Sequence, residues 1–328
     1  MKVRFLKKKD LTKFKYLVNY YYKKNHILTK SKKIVNFYYN FFNKDNLSII
    51  GLFDKNENLL SALGLMPYKN WDKKLNNDYH IAFWVKKNKL INSLPLLNFI
   101  FDKINPKFLA TSGIDINVSG KIFQNFGKIK LFDNCYIKNI KSRNAVFKKL
   151  KNKKKMFNPD KQLTIINKNF IAKLPSYFFR PRKSIEYFKK KYFKNPFYKY
   201  NCLNFYYKKK LQFFFICRVI KIKKYKISII RVIDFYGDIK QKQNIYFAVQ
   251  KFLQKNNYEY IDFLSTGLST ELKNLGFSLK KTKDFIPELF EPYSNKVDYR
   301  NYCVLKNNYK SKIVLVKGDG DGDRPNIL

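Results

Sequence analysis

One stretch of this chain is written twice. Lys107-Phe-Leu-Ala-Thr-Ser-Gly113 leads into a helical pattern that closes at Gly127, and Tyr258-Glu-Tyr-Ile-Asp-Phe-Leu-Ser-Thr-Gly267 leads into a shorter one that closes at Gly276-Phe277. Each reads as a buried strand, a Ser/Thr-Gly turn, a helix ended by glycine and a further strand. Glycine suits a helix end because it takes positive φ without a Cβ clash. The copies lie about 150 residues apart, the size of an ordinary domain, so two domains of one fold are expected. Strands mixed with helices give an α/β (α+β) chain, with a crevice at the strand ends where such sheets bind ligands.

The rest of the chain fits around that repeat. Residues 2–7 read as a first strand, with Asp10 where an N-cap belongs and Phe14, Leu17, Val18 and Tyr21 at helical spacing. A second helix spans 31–42. Apolar strands at 47–53 and 59–66 flank the polar turn Asp54–Asn58 as a hairpin. A strand at 78–86 and a helix at 93–104, with Pro95 in its first turn, precede the first copy. Residues 128–138 supply the closing strands of that half. The second half runs helix 184–192, strands 202–207, 211–221 and 225–236, helix 240–256, the second copy and a last strand at 299–304. No first strand or second early helix stands out there. The expected domains are 1–140 and 163–316, joined by a Lys/Asn-rich linker at 141–162 and followed by an acidic tail at 317–328.

At 328 residues and 45% hydrophobic content, the chain can bury two cores. Its formal net charge is +46. Lysine supplies nearly all of it. Lys, Asn, Ile, Phe and Tyr are enriched together, the set with A/T-rich codons, so codon bias accounts for the charge better than a dedicated nucleic-acid arm does. A lysine-rich surface still favours anionic ligands. Cys135, Cys202, Cys217 and Cys303 lack C-x-x-C spacing and sit among apolar residues, as buried thiols in a reducing cytoplasm do. His26 and His80 are too few for a histidine metal site, and no metal is expected. No apolar run approaches the roughly 20 residues of a membrane span, and the N-terminus lacks a signal-peptide core. The oligomeric state is not legible here.

Three segments add a resemblance. Tyr192-Phe-Lys-Asn-Pro-Phe-Tyr-Lys-Tyr200, Arg231-Val-Ile-Asp-Phe-Tyr-Gly-Asp238 and Tyr260-Ile-Asp-Phe-Leu264 resemble parts of GNAT-like proteins found with surface-polysaccharide biosynthesis. The tail Gly318-Asp-Gly-Asp-Gly-Asp-Arg-Pro-Asn326 is similar to the ending of that group. Together with the element order, the chain resembles a tandem member of the GNAT superfamily of acyltransferases. Fem-type transferases, which use aminoacyl-tRNA, share the tandem arrangement.

The resemblance implies two GNAT-like domains, each a mixed, mostly antiparallel central sheet flanked by helices. It implies acetyl-CoA or another acyl-CoA as co-substrate and an amine of a sugar or nucleotide-sugar as acceptor. The amine attacks the thioester directly in a ternary complex. The second domain is expected to be catalytic and the first degenerate or substrate-binding. The donor's pyrophosphate would rest on backbone N–H groups after the fourth strand, at a helix N-terminus. In the second half that loop falls on Tyr236, Gly237, Asp238, Lys240 and Gln241, and in the first half on Lys86 to Ser93. Both depart from the family's Arg/Gln-x-x-Gly-x-Gly/Ala pattern. The alternatives are transfer from aminoacyl-tRNA and a non-enzymatic, Lys-rich polyanion-binding protein.

Among site candidates, Asp234 lies in the apolar strand 229–235. Strict alternation puts it on a face with Ile230 and Val232, opposite Arg231, Ile233 and Phe235. A carboxylate on an apolar face needs a partner or a raised pKa. It is therefore a catalytic base, or part of a structural ion pair or turn cap. Asp262 holds the matching place one strand later. Ser265 and Thr266, like Thr111 and Ser112, end strands at the crevice, as substrate donors or as caps of the next helix. Arg180 and Arg182 flank Pro181 and suit bidentate anion recognition. Tyr198 and Tyr200 are rings for stacking on substrate or for the core. Asp319, Asp321 and Asp323 have calcium-loop spacing without the closing Glu. Their charge opposes that of the rest of the chain, so the tail either folds onto a basic crevice or stays solvated.

Overall fold

The computed structural model describes residues 1–40, 45–142, 163–168, 179–239, 244–281, 284, 286–287, 289–290, 293–294, 301–320 and 322–325. In chain order the elements are β1 (Lys2–Lys7), α1 (Leu11–Tyr21), α2 (Ile27–Lys30), α3 (Lys32–Tyr39), β2 (Asn46–Phe53), β3 (Leu59–Pro67), β4 (Asp78–Lys86), α4 (Leu94–Phe99), β5 (Phe108–Ser112), α5 (Lys121–Phe123), β6 (Ile129–Leu131) and β7 (Asp133–Lys138). They continue as β8 (Leu163–Lys168), α6 (Ile185–Phe188), β9 (Asn201–Tyr207), β10 (Lys210–Ile222), β11 (Ile227–Gly237), α7 (Tyr246–Lys255), β12 (Tyr258–Ser265), α8 (Ser269–Asn274), β13 (Ser278–Leu279), β14 (Leu289–Phe290), β15 (Tyr293–Ser294) and β16 (Asn301–Asn307).

Two seven-stranded sheets result. The first runs β1-β2-β3-β4-β5-β16-β6 and the second runs β8-β9-β10-β11-β12-β7-β13. In each, the fourth and fifth strands are parallel, β4 with β5 and β11 with β12. Neighbouring pairs are antiparallel, including β3–β4, β5–β16, β10–β11 and β12–β7. The orders match position for position, which is the sequence repeat in three dimensions. The strand β8 supplies the first strand that the second half seemed to lack.

Two strand placements correct the sequence reading. Residues 133–138 close the second sheet rather than the first, and β16 closes the first sheet rather than the second. The sixth strand of each sheet thus comes from the other half of the chain. The compact units are accordingly 1–130 with 301–309 and 320–328, and 131–300 with 310–319. The reason is physical: a short apolar strand can pair within either sheet, and only tertiary pairing decides. Of the expected linker, 143–162 lies outside the described residues.

Each unit has its own core. In the first, Leu96 and Leu97 of α4 share a core with Ile50, Leu63, Leu65, Ile81 and Leu109 of the sheet. In the second, the alternate residues Phe213, Phe215 and Cys217 of β10 meet Ile230, Val232, Phe263 and the helix residues Val249 and Leu253. Burial of such side chains is worth roughly 1.5–3 kcal/mol each relative to exposure. All four cysteines are buried and free.

Both parallel pairs end at the same irregularity. On β4, Phe83 pairs with Gly64 and Ile81 with Leu65, so Ala82 is an extra residue. On β11, Asp234 pairs with Ile216 and Val232 with Cys217, so Ile233 is extra. The parallel ladders stop just before these bulges, at Ile81↔Thr111 and Val232↔Phe263. A bulge inverts the side-chain alternation beyond it. Phe235 therefore joins Ile230 and Val232 in the core, and Asp234 turns to the opposite face. This overturns the strict alternation that placed Asp234 beside Val232.

Candidate active site

Beyond each bulge the two parallel strands lose their shared ladder, and the gap is where a ligand can enter a sheet of this topology. In the second unit the chain fills that gap itself. Val316 bridges Ser265. Thr266 N donates to Leu315 O at 2.9 Å, and Gly318 N donates to Ile233 O at 2.7 Å. Leu315 N donates to Thr266 Oγ1 at 2.8 Å. The segment 312–319 thus joins β12 to the bulge of β11, with Val314 and Val316 in the core. Arg180 anchors its start, its N donating to Lys312 O at 3.0 Å and its O accepting from Val314 N at 2.9 Å.

A buried ionic network locks the end of this strap. Lys183 Nζ lies 2.7 Å from Asp234 Oδ1 and 3.1 Å from Asp319 Oδ1, with the Lys183 and Asp234 side chains wholly buried. Tyr192 donates to Asp234 Oδ2 at 2.7 Å. Phe235 N donates to Asp234 Oδ1 at 2.8 Å. Lys191 donates to Tyr187 Oη at 2.9 Å and to Gly318 O. A Cβ on Gly318 would lie 2.3 Å from Tyr192 Oη, so glycine is what permits this approach. Burial pushes the Asp234 carboxyl above its ordinary range; Lys183 opposes this and Asp319 adds to it.

The sequence-predicted residues of this unit fall around the strap. Asp262 is buried and bound by Arg231, whose Nε lies 3.1 Å from Oδ1, while Arg231 Nη2 also donates to Pro287 O at 2.6 Å. Ser265 is buried in the bridge to Val316, and the first residue flanking α8 is Leu268, so neither Ser265 nor Thr266 caps that helix. Gly237 has φ +116, and a Cβ there would meet Gln212 O and Phe213 Cα at 2.5 Å. Tyr236, Gly237 and Asp238 thus stay against β10, with Asp238 N donating to Gln212 O at 3.3 Å. Lys240 and Gln241 lie outside the described residues. Arg182 is exposed, and its charge opposes the rise that burial gives the Tyr236 phenol. The Tyr198 ring lies under the Arg218 guanidinium at 3.7 Å, and Tyr200 packs on Tyr192 with centroids 5.0 Å apart. The acidic tail does fold back, through Asp319; Asp321 lies outside the described residues.

The first unit differs at the same place. Among the described residues, no isolated bridge lies beside β4 or β5. Gly113, just past β5, has φ +67, and a Cβ there would meet nothing within 4 Å. Across the gap, β4 leads into a turn bearing Lys86, Lys87 and Lys89. Asn88 Oδ1 shapes that turn by accepting from Leu90 N at 3.0 Å and Ile91 N at 3.1 Å. Asn92 Oδ1 accepts from Leu94 N at 3.1 Å where α4 begins. His80 is buried, with Gly320 packed on its ring, and its Nε2 lies 3.0 Å from Oγ of the half-buried Ser112. His80 pairs with Ala110 in the parallel ladder, which brings Ser112 onto the same face. Sequence reasoning singled out Ser112 and missed the pairing, which only the register reveals. No group of three His, Cys, Asp or Glu side chains among the described residues is placed to hold a metal.

No family model and no curated protein matches the sequence. Solved structures do match. A GCN5-related N-acetyltransferase from Anabaena variabilis aligns over 92% of this chain and 72% of its own, at 6% identity and a TM-score of 0.50. A probable N-acyltransferase from Enterococcus faecalis aligns over 85% and 70%, at 10% identity and 0.47. N-myristoyltransferase from Saccharomyces cerevisiae, solved with myristoyl-CoA, aligns over 94% and 81%, at 14% and 0.43. The Anabaena alignment and the two matching sheets show a GNAT-type fold in tandem.

Proposed function

We propose that this protein is an acyl-CoA-dependent N-acyltransferase whose first unit takes the donor between β4 and β5. One observation carries the reading: the equivalent gap of the second unit is filled by the chain's own strap. The donor assignment therefore moves from the Tyr236–Gln241 loop to the first unit, and Asp234, Asp262 and Ser265 become structural. In the first unit an acyl chain would run past the bulge at Ala82, where the extra residue frees backbone N–H groups from the ladder to face a thioester oxygen. The lysines after β4 supply charge for the phosphates. The acceptor amine attacks the carbonyl carbon, the C–S bond breaks with its electron pair going to the CoA sulfur, and the amine's proton passes by way of the half-buried Ser112 hydroxyl and His80 to the leaving thiolate. The amine of a sugar or nucleotide-sugar, as in surface-polysaccharide assembly, is the acceptor the sequence resemblance suggests.

The test is thiol release from acetyl-CoA in the presence of amino-sugars and nucleotide amino-sugars. H80Q and S112A are expected to lower kcat by about 10²-fold or more with KM for the donor little changed. Unchanged turnover in both variants removes the pair from the mechanism. A second reading, transfer from aminoacyl-tRNA, is favoured by the absence of glycine between Lys86 and Ser93. It predicts transfer from charged tRNA and none from acyl-CoA.

A further inference from the structure

The first helix carries a surface that neither the sheet nor the candidate site uses. Tyr16, Tyr20, Tyr21 and Tyr22 are 54%, 72%, 39% and 54% exposed. Tyr16 and Tyr20 lie one turn apart with ring centroids 4.4 Å apart and 31° between planes. Tyr21 completes the group, 6.4 Å and 6.3 Å from the other two. Single exposed aromatics need no explanation, but a contiguous group of this kind marks an interaction site. The chain around it is strongly basic, with Glu57 the acidic residue that Lys13 reaches. Between Asp10 and Asp45 the sequence holds eight lysines and no Asp or Glu. Asp10 is itself buried and bound by Arg4 at 2.7 Å. Lys9, Lys13, Lys23 and Lys24 are exposed before, within and after α1.

We propose that this face of α1 docks the protein on an anionic lipid surface. A tyrosine ring reaches the boundary between headgroups and acyl chains while its hydroxyl stays among the headgroups. Lysines around it are drawn to acidic headgroups, and the two effects together give stable peripheral binding. Single-stranded nucleic acid is the less suitable partner. It needs free ring faces on which bases stack, and here one face each of Tyr16 and Tyr20 is turned to the other.

The experiment is cosedimentation of the full chain with phosphatidylcholine vesicles, with or without phosphatidylglycerol. Y16S/Y20S/Y21S removes the rings. K9Q/K23Q/K24Q removes three exposed charges that flank α1, and K208Q/K209Q/K210Q removes three exposed ones from the turn after β9 and the start of β10. Unfolding curves of each variant check that the fold is kept. The first two variants are expected to bind anionic vesicles about tenfold more weakly, and the third to change less than about twofold. Equal losses in the two lysine variants would mean that net charge alone is at work and overturn the proposal. So would unchanged binding in the tyrosine variant. Loss of affinity for a single-stranded RNA oligonucleotide with vesicle binding intact would assign the surface to nucleic acid, and also overturns it.

Discussion

Lys183 holds two carboxylates in a place without solvent. Removing one member of a buried ion pair costs about 3–5 kcal/mol, because the remaining charge keeps its desolvation penalty. K183M leaves Asp234 and Asp319 facing each other unneutralised. It is therefore expected to lose about that much stability in urea unfolding, and a loss below about 1 kcal/mol would contradict the network. His26 makes a second residue-scale prediction. Burial, with Arg324 and Lys23 nearby, pushes its imidazole down from 6.5 to about 3. The unfolded chain then binds the extra proton between those values, so stability is full above pH 6.5 and falls as the pH drops toward 3. H26N removes this contribution; its loss of Tm between pH 7 and pH 4 is expected to be smaller than that of the parent. Equal slopes would show that His26 is not held neutral.

The strap is the element on which the functional assignment turns. If it closes the second sheet, the amides of Thr266, Leu315 and Gly318, which it hydrogen-bonds, exchange with solvent as slowly as the strand interiors. Fast exchange at these three, with slow exchange in β10 and β11, would show the gap to be open. Legibility in the sequence varied with how local each feature is. The hairpin β2–β3 was readable because two apolar runs enclose a polar turn, whereas Ser31, read as part of a helix, instead caps α3, its Oγ accepting from Ile34 N at 3.2 Å. The bulge at Ile233 was not readable, because an extra residue in an apolar strand leaves no mark in composition. One added residue then moved Asp234 to the other face. The exchange of β7 and β16 was hidden for a different reason: which sheet accepts a strand is settled by distant partners. The candidate pair His80–Ser112 needed the parallel register, and the partner of Asp234 lay 51 residues away at Lys183.

At the scale of the whole chain, two copies of one sheet differ at the gap beyond their parallel strands. One parts at its bulge, with lysines after β4 and open space at Gly113, while Gly320 packs on the buried His80 ring. The other parts at the same point and is closed by the segment 312–319. The two units are alike in strand order, and the strap is what distinguishes them. No helix of the described residues is long and apolar enough to cross a membrane. The proposed lipid contact is made by the exposed face of α1. The most direct test of the account is hydrogen–deuterium exchange of the intact protein with and without acetyl-CoA. Donor binding in the first unit predicts slowed exchange across Phe83–Ser93 and at Gly113, with no change at Tyr236–Asp238. Slowed exchange at Tyr236–Asp238, with none after β4, would place the donor in the second unit and contradict it.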